Sequence, residues 1–101
     1  MRMVHFVDTA GSDEAFVPSE NISLIQVTST TNINVYWPSQ DPAATANDVV
    51  ALTCATGKTD EVAKKLANYM VATNIGGASV LTVDATNFDA NLSTVVYTAG
   101  V

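Results

Sequence analysis

The fold is decided by residues 49–74, VVALTCATGKTDEVAKKLANYMVATN, in which a continuous apolar stretch gives way to a helical pattern. Residues 49–55 are almost all apolar, as in a central strand that is covered on both faces. Thr59 is a good helix N-cap, and two acidic residues follow it in the first turn, where the helix dipole favours them. Apolar side chains then recur three and four residues apart. We therefore expect one amphipathic helix at about 59–74.

The residues on either side of this segment carry strand patterns. The segment Ile33-Asn34-Val35-Tyr36-Trp37 alternates apolar and polar side chains, which is typical of a half-buried strand. The β-branched residues Val and Thr, which favour strands, make up 27 of the 101 residues. Further strands are predicted at 3–7, 14–17, 22–27, 79–83 and 92–98.

These elements predict an α+β fold in a single domain spanning residues 1–101. We expect about seven strands in a mostly antiparallel, barrel- or sandwich-like sheet, with the one helix on one face. A single helix leaves the other face of such a sheet to be hidden either by closure of the sheet or by a second subunit.

Composition and charge exclude several classes of partner. Ten acidic residues against four basic ones give a net charge of −6, which argues against binding to nucleic acid. The apolar stretches are too short to cross a membrane, and the first eight residues resemble no signal peptide. We therefore expect no nucleic-acid or membrane partner. The lone Cys54 cannot form an intramolecular disulfide.

The segment Ala55-Thr56-Gly57-Lys58-Thr59 ends like a phosphate-binding loop. Such a loop needs a glycine five residues before Gly57, where this chain has Leu52 inside a predicted strand. We interpret the segment as a strand-to-helix turn and expect no cofactor.

A second motif, Phe6-Val7-Asp8-Thr9-Ala10-Gly11-Ser12, is similar to the active-site loop of retropepsin-like aspartic proteases. That chemistry needs two aspartates that share a proton across a two-fold axis. Ala10 stands where the protease motif has glycine, so this activity is the remote alternative. His5 has no second histidine to work with, and Cys54 lies in an apolar strand, where a thiol is unreactive. We expect no enzymatic activity and no catalytic residues.

The loop from Asp84 to Asn91 is rich in oxygen-bearing side chains. It lacks the central glycine and the final glutamate of a helix-loop-helix calcium site. Whether this loop binds a cation is left open by the sequence, and we assign no metal ligands.

A resemblance spans the whole chain and consists of the order and character of its segments. The segments are Phe6, Phe16-Val17-Pro18, Ile22-Ser23-Leu24-Ile25, Val35-Tyr36, Asp48–Thr53 and Glu61–Ala67. In this order the chain resembles small uncharacterised or virion-type proteins of marine bacteriophages and ocean metagenomes. The resemblance implies a viral structural role, with a location in a virion or in the cytoplasm, and assigns no functional residues.

The sequence thus predicts a non-enzymatic structural module that associates with copies of itself and, in a virion, with other virion proteins. The alternative is a module that binds a small ligand or a protein in a cleft beside residues 38–48. The residues expected at the contact between copies are Ile33, Val35 and Trp37 on one strand face, together with Tyr36 or Tyr97 on the faces opposite to it.

Overall fold

A computed structural model of the chain describes residues 2–9, 13–39, 43, 46–71, 79–85 and 88–98. The elements are, in chain order, strands β1 (Arg2–Val7) and β2 (Glu14–Pro18), a short 3-10 helix (Ser19–Asn21), strands β3 (Leu24–Val27), β4 (Asn32–Trp37) and β5 (Asp48–Cys54), helix α1 (Thr59–Val71), and strands β6 (Ser79–Val83) and β7 (Leu92–Thr98). The expected α+β fold with seven strands and one helix is confirmed for the described ranges. Helix α1 begins at Thr59 as predicted, and the predicted end at residue 74 lies outside the described residues.

The strands form two separate, mostly antiparallel sheets. The three-stranded sheet has the order β2-β1-β6, in which β1 and β2 form an antiparallel hairpin and β1 and β6 run parallel. The four-stranded sheet has the order β3-β4-β5-β7 and is antiparallel throughout. The described strands therefore do not close into one continuous sheet. The parallel pair joins β1, at the start of the chain, to β6, which follows α1.

One hydrophobic core is shared by the two sheets and the helix. Val4 and Phe6 enter it from the three-stranded sheet, and Val62 and Leu66 enter it from the helix; all four are fully buried. The four-stranded sheet contributes Ile33, Val35, Trp37, Val50, Leu52, Cys54, Leu92 and Val95. Helix α1 lies against β3 and β4, so its apolar stripe faces the side of the core that these two strands line.

Strand β5 departs from the expectation that it is covered on both faces. Val50, Leu52 and Cys54 are buried, whereas the alternate residues Ala51 and Thr53 are only half-buried. The reason is that helix and second sheet both lie on one side, so the opposite side faces outward. An apolar sequence of small and β-branched residues does not distinguish this arrangement from full burial.

The two sheets are joined at the edge of β7 by the residues that follow β1. The amide of Thr9 donates to the carbonyl of Val95 at 2.8 Å, and the Thr9 hydroxyl accepts the Val95 amide at 2.7 Å. The Asp8 carboxylate accepts the amide of Tyr97 at 3.1 Å. These bonds satisfy the outward main-chain groups of an edge strand that would otherwise be open.

In the part of the chain that the structure describes, α1 falls short of the length and hydrophobicity that a membrane-spanning helix requires.

Candidate functional site

The structure places three of the expected contact residues inside the core of the single chain. Ile33 and Val35 are fully buried, and Trp37 is 4% exposed. Their predicted common strand face is confirmed, but that face points toward the second sheet and the helix. A contact between copies along β4 would therefore use other side chains.

The two tyrosines lie on opposite faces of the four-stranded sheet. Tyr97 is in register with the buried Val50 on the inner face, and Tyr36 is in register with Val49 on the outer face. The Tyr97 ring stacks on Trp37 with ring centroids 5.9 Å apart, and both side chains thus belong to the same cluster. Tyr36 is half-buried, and its hydroxyl accepts a hydrogen bond from the side-chain amide Nδ2 of Asn34 at 3.1 Å.

A buried carboxylate, Asp48, orients this aromatic cluster. Its Oδ2 accepts hydrogen bonds from Trp37 Nε1 at 3.1 Å and from the Tyr97 hydroxyl at 3.2 Å. Phe6 stacks on the other side of Trp37 at 5.5 Å. Burial, followed by the negative charge and the hydrogen bond of Asp48, raises the pKa of Tyr97 above its ordinary value. Asp48 was not identified from the sequence as a buried residue. The observation that could have done so is that Asp48 lies on the same strand face as Val50, Leu52 and Cys54.

The outer face of the three-stranded sheet exposes an apolar patch. Phe16 is 60% exposed and Val80 is 57% exposed, and both lie on edge strands. Between them, on β1, lie Met3, which is in register with Val80, and His5, which is in register with Phe16. The His5 and Phe16 rings stack at 3.9 Å, and His5 Nε2 contacts Glu14 Oε1 at 2.7 Å. The His5 side chain therefore lies on the outer face of this sheet, opposite to its buried neighbours Val4 and Phe6, and is 16% exposed.

The four-stranded sheet exposes apolar side chains at both of its edges. Leu24 and Val27 on β3 are 50% and 41% exposed, and Val96 on β7 is 44% exposed. Leu24 and Val96 lie on the outer face, to which half-buried Tyr36 also belongs. All the exposed large hydrophobic residues of the described chain lie on strands, in contrast to the scattered pattern of an ordinary surface.

The segment from Ala55 to Thr59 is a tight turn that leads from β5 into α1. Gly57 has φ of 80°, in the left-handed region that favours glycine. The amides of Gly57 and Lys58 donate to main-chain carbonyls at 2.9 and 3.0 Å, so they do not form a phosphate cradle. The Lys58 ammonium group lies 3.7 Å from the carboxylate of Glu61 on the first turn of the helix.

The protease-like motif at Asp8 and the lone Cys54 are both part of the packed structure where the chain is described. Asp8 is buried and its carboxylate bonds to β7, whereas residues 10–12 of the protease-like motif lie outside the described residues. Cys54 is buried, and this burial, followed by the charge of Asp89, raises the pKa of its thiol and lowers its reactivity.

The acidic loop before β7 is tied to the helix. Asp89 Oδ1 accepts the amide of Asn91 at 2.8 Å, and Asp89 Oδ2 lies 3.7 Å from Lys65 Nζ. Thr86 and Asn87 lie outside the described residues. Among the residues that are described, no three acidic, histidine or cysteine side chains are grouped to hold a metal ion.

The cleft expected beside residues 38–48 falls largely on residues 40–42 and 44–45, which lie outside the described residues. The candidate site that remains is therefore the exposed apolar surface of the two sheets. No family model, curated protein or solved structure matches the chain.

Proposed function

We propose that this protein is a non-enzymatic structural module that associates with copies of itself. The observation that supports the proposal is that Phe16, Leu24, Val27, Val80 and Val96, all on strands, are each more than 40% exposed. All five lie on edge strands of the two sheets, and Phe16, Leu24, Val80 and Val96 lie on outer faces that no layer of the described chain covers. Exposed apolar strand surfaces are typical of proteins whose sheets are covered by a neighbour.

The architecture that we infer for the module is sandwich-like. Side chains of both sheets enter one core, and the bonds from Asp8 and Thr9 to β7 hold the sheets together on one side. Such a unit presents two outer sheet faces, which suits a protein that packs against neighbours on more than one side.

The particle that would use this module is a bacteriophage virion. The resemblance to small phage proteins supports this part of the proposal, as does the charge of −6 on each copy, which keeps free subunits soluble before they assemble. An antibody raised against the chain should label purified particles of a phage that encodes it, and unlabelled particles would contradict the assignment.

The experiment that tests self-association is absolute mass by light scattering across a dilution series. We expect a discrete oligomer that persists on dilution to micromolar subunit concentration. A monomer throughout the series would overturn the proposal, and the ligand- or protein-binding alternative would then be examined by native mass spectrometry.

A further inference from the structure

Strand β3 is one edge of the four-stranded sheet, so half of its main-chain groups point away from β4 and pair with no other described strand. The amide of Thr28 donates to the carbonyl of Asn32 at 3.0 Å, which makes these two residues a hydrogen-bonded pair. Because such pairs alternate along an antiparallel ladder, the main-chain groups of Ile25 and Val27 point away from β4. No described residue forms a hydrogen bond with these outward groups.

Strand β3 also lacks the features that normally prevent edge-to-edge pairing. Edge strands are usually protected by charged side chains, by proline or by a covering segment. The stretch from Ile22 to Thr28 contains no charge and no proline, and Leu24, Gln26 and Val27 are exposed. As far as the chain is described, this edge can accept another strand without the loss of an existing hydrogen bond.

The charge pattern indicates which strand would be added. Residues 21–40 contain no acidic or basic side chain, although the whole chain carries a net charge of −6. A cationic partner would be attracted to the carboxylates elsewhere on the surface rather than to this neutral hairpin. A second copy of the same acidic chain, by contrast, meets the least repulsion where neither copy carries charge. The edge therefore fits a copy of this chain.

We propose that two copies pair through β3, antiparallel about a two-fold axis at Gln26, so that their sheets join into one sheet of eight strands. The inference rests on the proposed self-association and names its contact. In this register Ile25 of one copy lies opposite Val27 of the other, and their outward amides and carbonyls bond to each other. Val27, which is 41% exposed, is then covered by an apolar neighbour.

Cysteine cross-linking tests the register directly. Gln26 would face its own copy as a non-hydrogen-bonded pair with Cα atoms about 4.5 Å apart, within the range for a disulfide. Leu24 is the matched control, because it is similarly exposed on the same strand but would lie about 13 Å from its own copy. We expect Gln26→Cys to form a covalent dimer under mild oxidation, and Leu24→Cys and the wild type, whose Cys54 is buried, to remain uncross-linked.

A charge variant provides the second measurement. Gln26→Lys would place two ammonium groups opposite each other at the axis and should weaken association at least tenfold, with unchanged circular dichroism. An oligomeric wild type without the Gln26→Cys cross-link, or with equal cross-linking of Leu24→Cys, would overturn the β3 contact and leave self-association standing. An oligomer that is as stable in the Gln26→Lys variant as in the wild type would likewise overturn the β3 contact and leave self-association standing. A monomeric wild type that forms no cross-link would overturn both proposals.

Discussion

Asp48 shows how one residue fixes the arrangement of two aromatic side chains. A buried carboxylate is costly unless its oxygens are hydrogen-bonded. Here the indole of Trp37 and the hydroxyl of Tyr97 both donate to it, and the rings stack on each other. The carboxylate and the two donors thus depend on each other. Removal of any one of these three side chains takes a hydrogen bond away from a buried polar group.

Replacement of Trp37 tests this dependence. Trp37→Phe keeps a ring in the stack but removes the indole donor, so we expect the free energy of unfolding to fall by about 1–3 kcal/mol. Trp37→Ala also empties the core position and should cost about 3–5 kcal/mol. Tyr36→Phe, on the outer face of the same strand, is the control and should change stability by less than about 0.5 kcal/mol. Urea denaturation followed by circular dichroism measures all three, and equal stability of Trp37→Phe and Tyr36→Phe would contradict the role of Asp48.

The raised pKa of Tyr97 makes stability depend on alkaline pH. Burial is the main cause of the shift, with the charge of Asp48 second, so the folded chain holds the phenol proton more tightly than the unfolded chain does. The resulting stability is fully present below the unfolded pKa of about 10 and is lost as pH rises through the higher folded value.

Denaturation midpoints of wild type and Tyr97→Phe between pH 8 and pH 12 would reveal this contribution. We expect the wild type to lose stability more steeply than Tyr97→Phe above about pH 10. The Cys54 thiol, whose pKa is also raised, is present in both chains, so the difference isolates Tyr97. Parallel pH profiles would exclude the effect.

At the scale of elements, Lys65 connects the helix to the loop that precedes β7. Its ammonium group donates to the carbonyl of Phe88, lies 4.9 Å from the centre of the Phe88 ring and is 3.7 Å from Asp89. One side chain of α1 therefore orients the segment that leads into the last strand, although the two are far apart in sequence.

The adjacent lysines of α1 provide a matched pair of variants. Lys65→Ala should lower the free energy of unfolding by about 1–2 kcal/mol, because a hydrogen bond and a cation–π contact are lost together. Lys64→Ala removes the same charge from the exposed face of the same helix and should have an effect of less than about 0.5 kcal/mol. Thermal unfolding monitored by circular dichroism compares the two, and indistinguishable midpoints would show that the loop does not depend on Lys65.

The sequence was sufficient to predict the elements but not how the strands divide into sheets. Alternation at 33–37 and the helical pattern after Thr59 depend on local periodicity, and both are confirmed. The parallel pairing of β1 with β6 depends on strands that are more than 70 residues apart, for which local patterns carry no signal. The alternation also predicted which strand face carries Trp37, but not that this face is buried within the chain. The layer that covers it comes from other elements, about which the local pattern carries no information.

At the scale of the whole molecule, the proposed self-association would bring together copies that carry the same negative charge. The core and the bonds from Asp8 and Thr9 hold the two sheets together within one chain. Carboxylates outnumber basic groups by six, so copies repel each other at long range. Association through the uncharged hairpin of β3 and β4 would then be opposed by the net charge of the two copies rather than by the contact itself.

Salt dependence follows from this balance. Added NaCl screens the repulsion between copies, because it shortens the Debye length. This length is roughly 20 Å at an ionic strength of 20 mM and about 8 Å at physiological ionic strength, and it shrinks further above that. We expect the dissociation constant of the oligomer to fall severalfold between 20 and 300 mM NaCl, measured by sedimentation equilibrium. A chain in which Glu20 beside the hairpin is replaced, Glu20→Gln, should associate more tightly at low salt and should differ less from the wild type at high salt. An oligomer that weakens as salt is added would instead indicate that ion pairs, rather than neutral strand surfaces, hold the copies together.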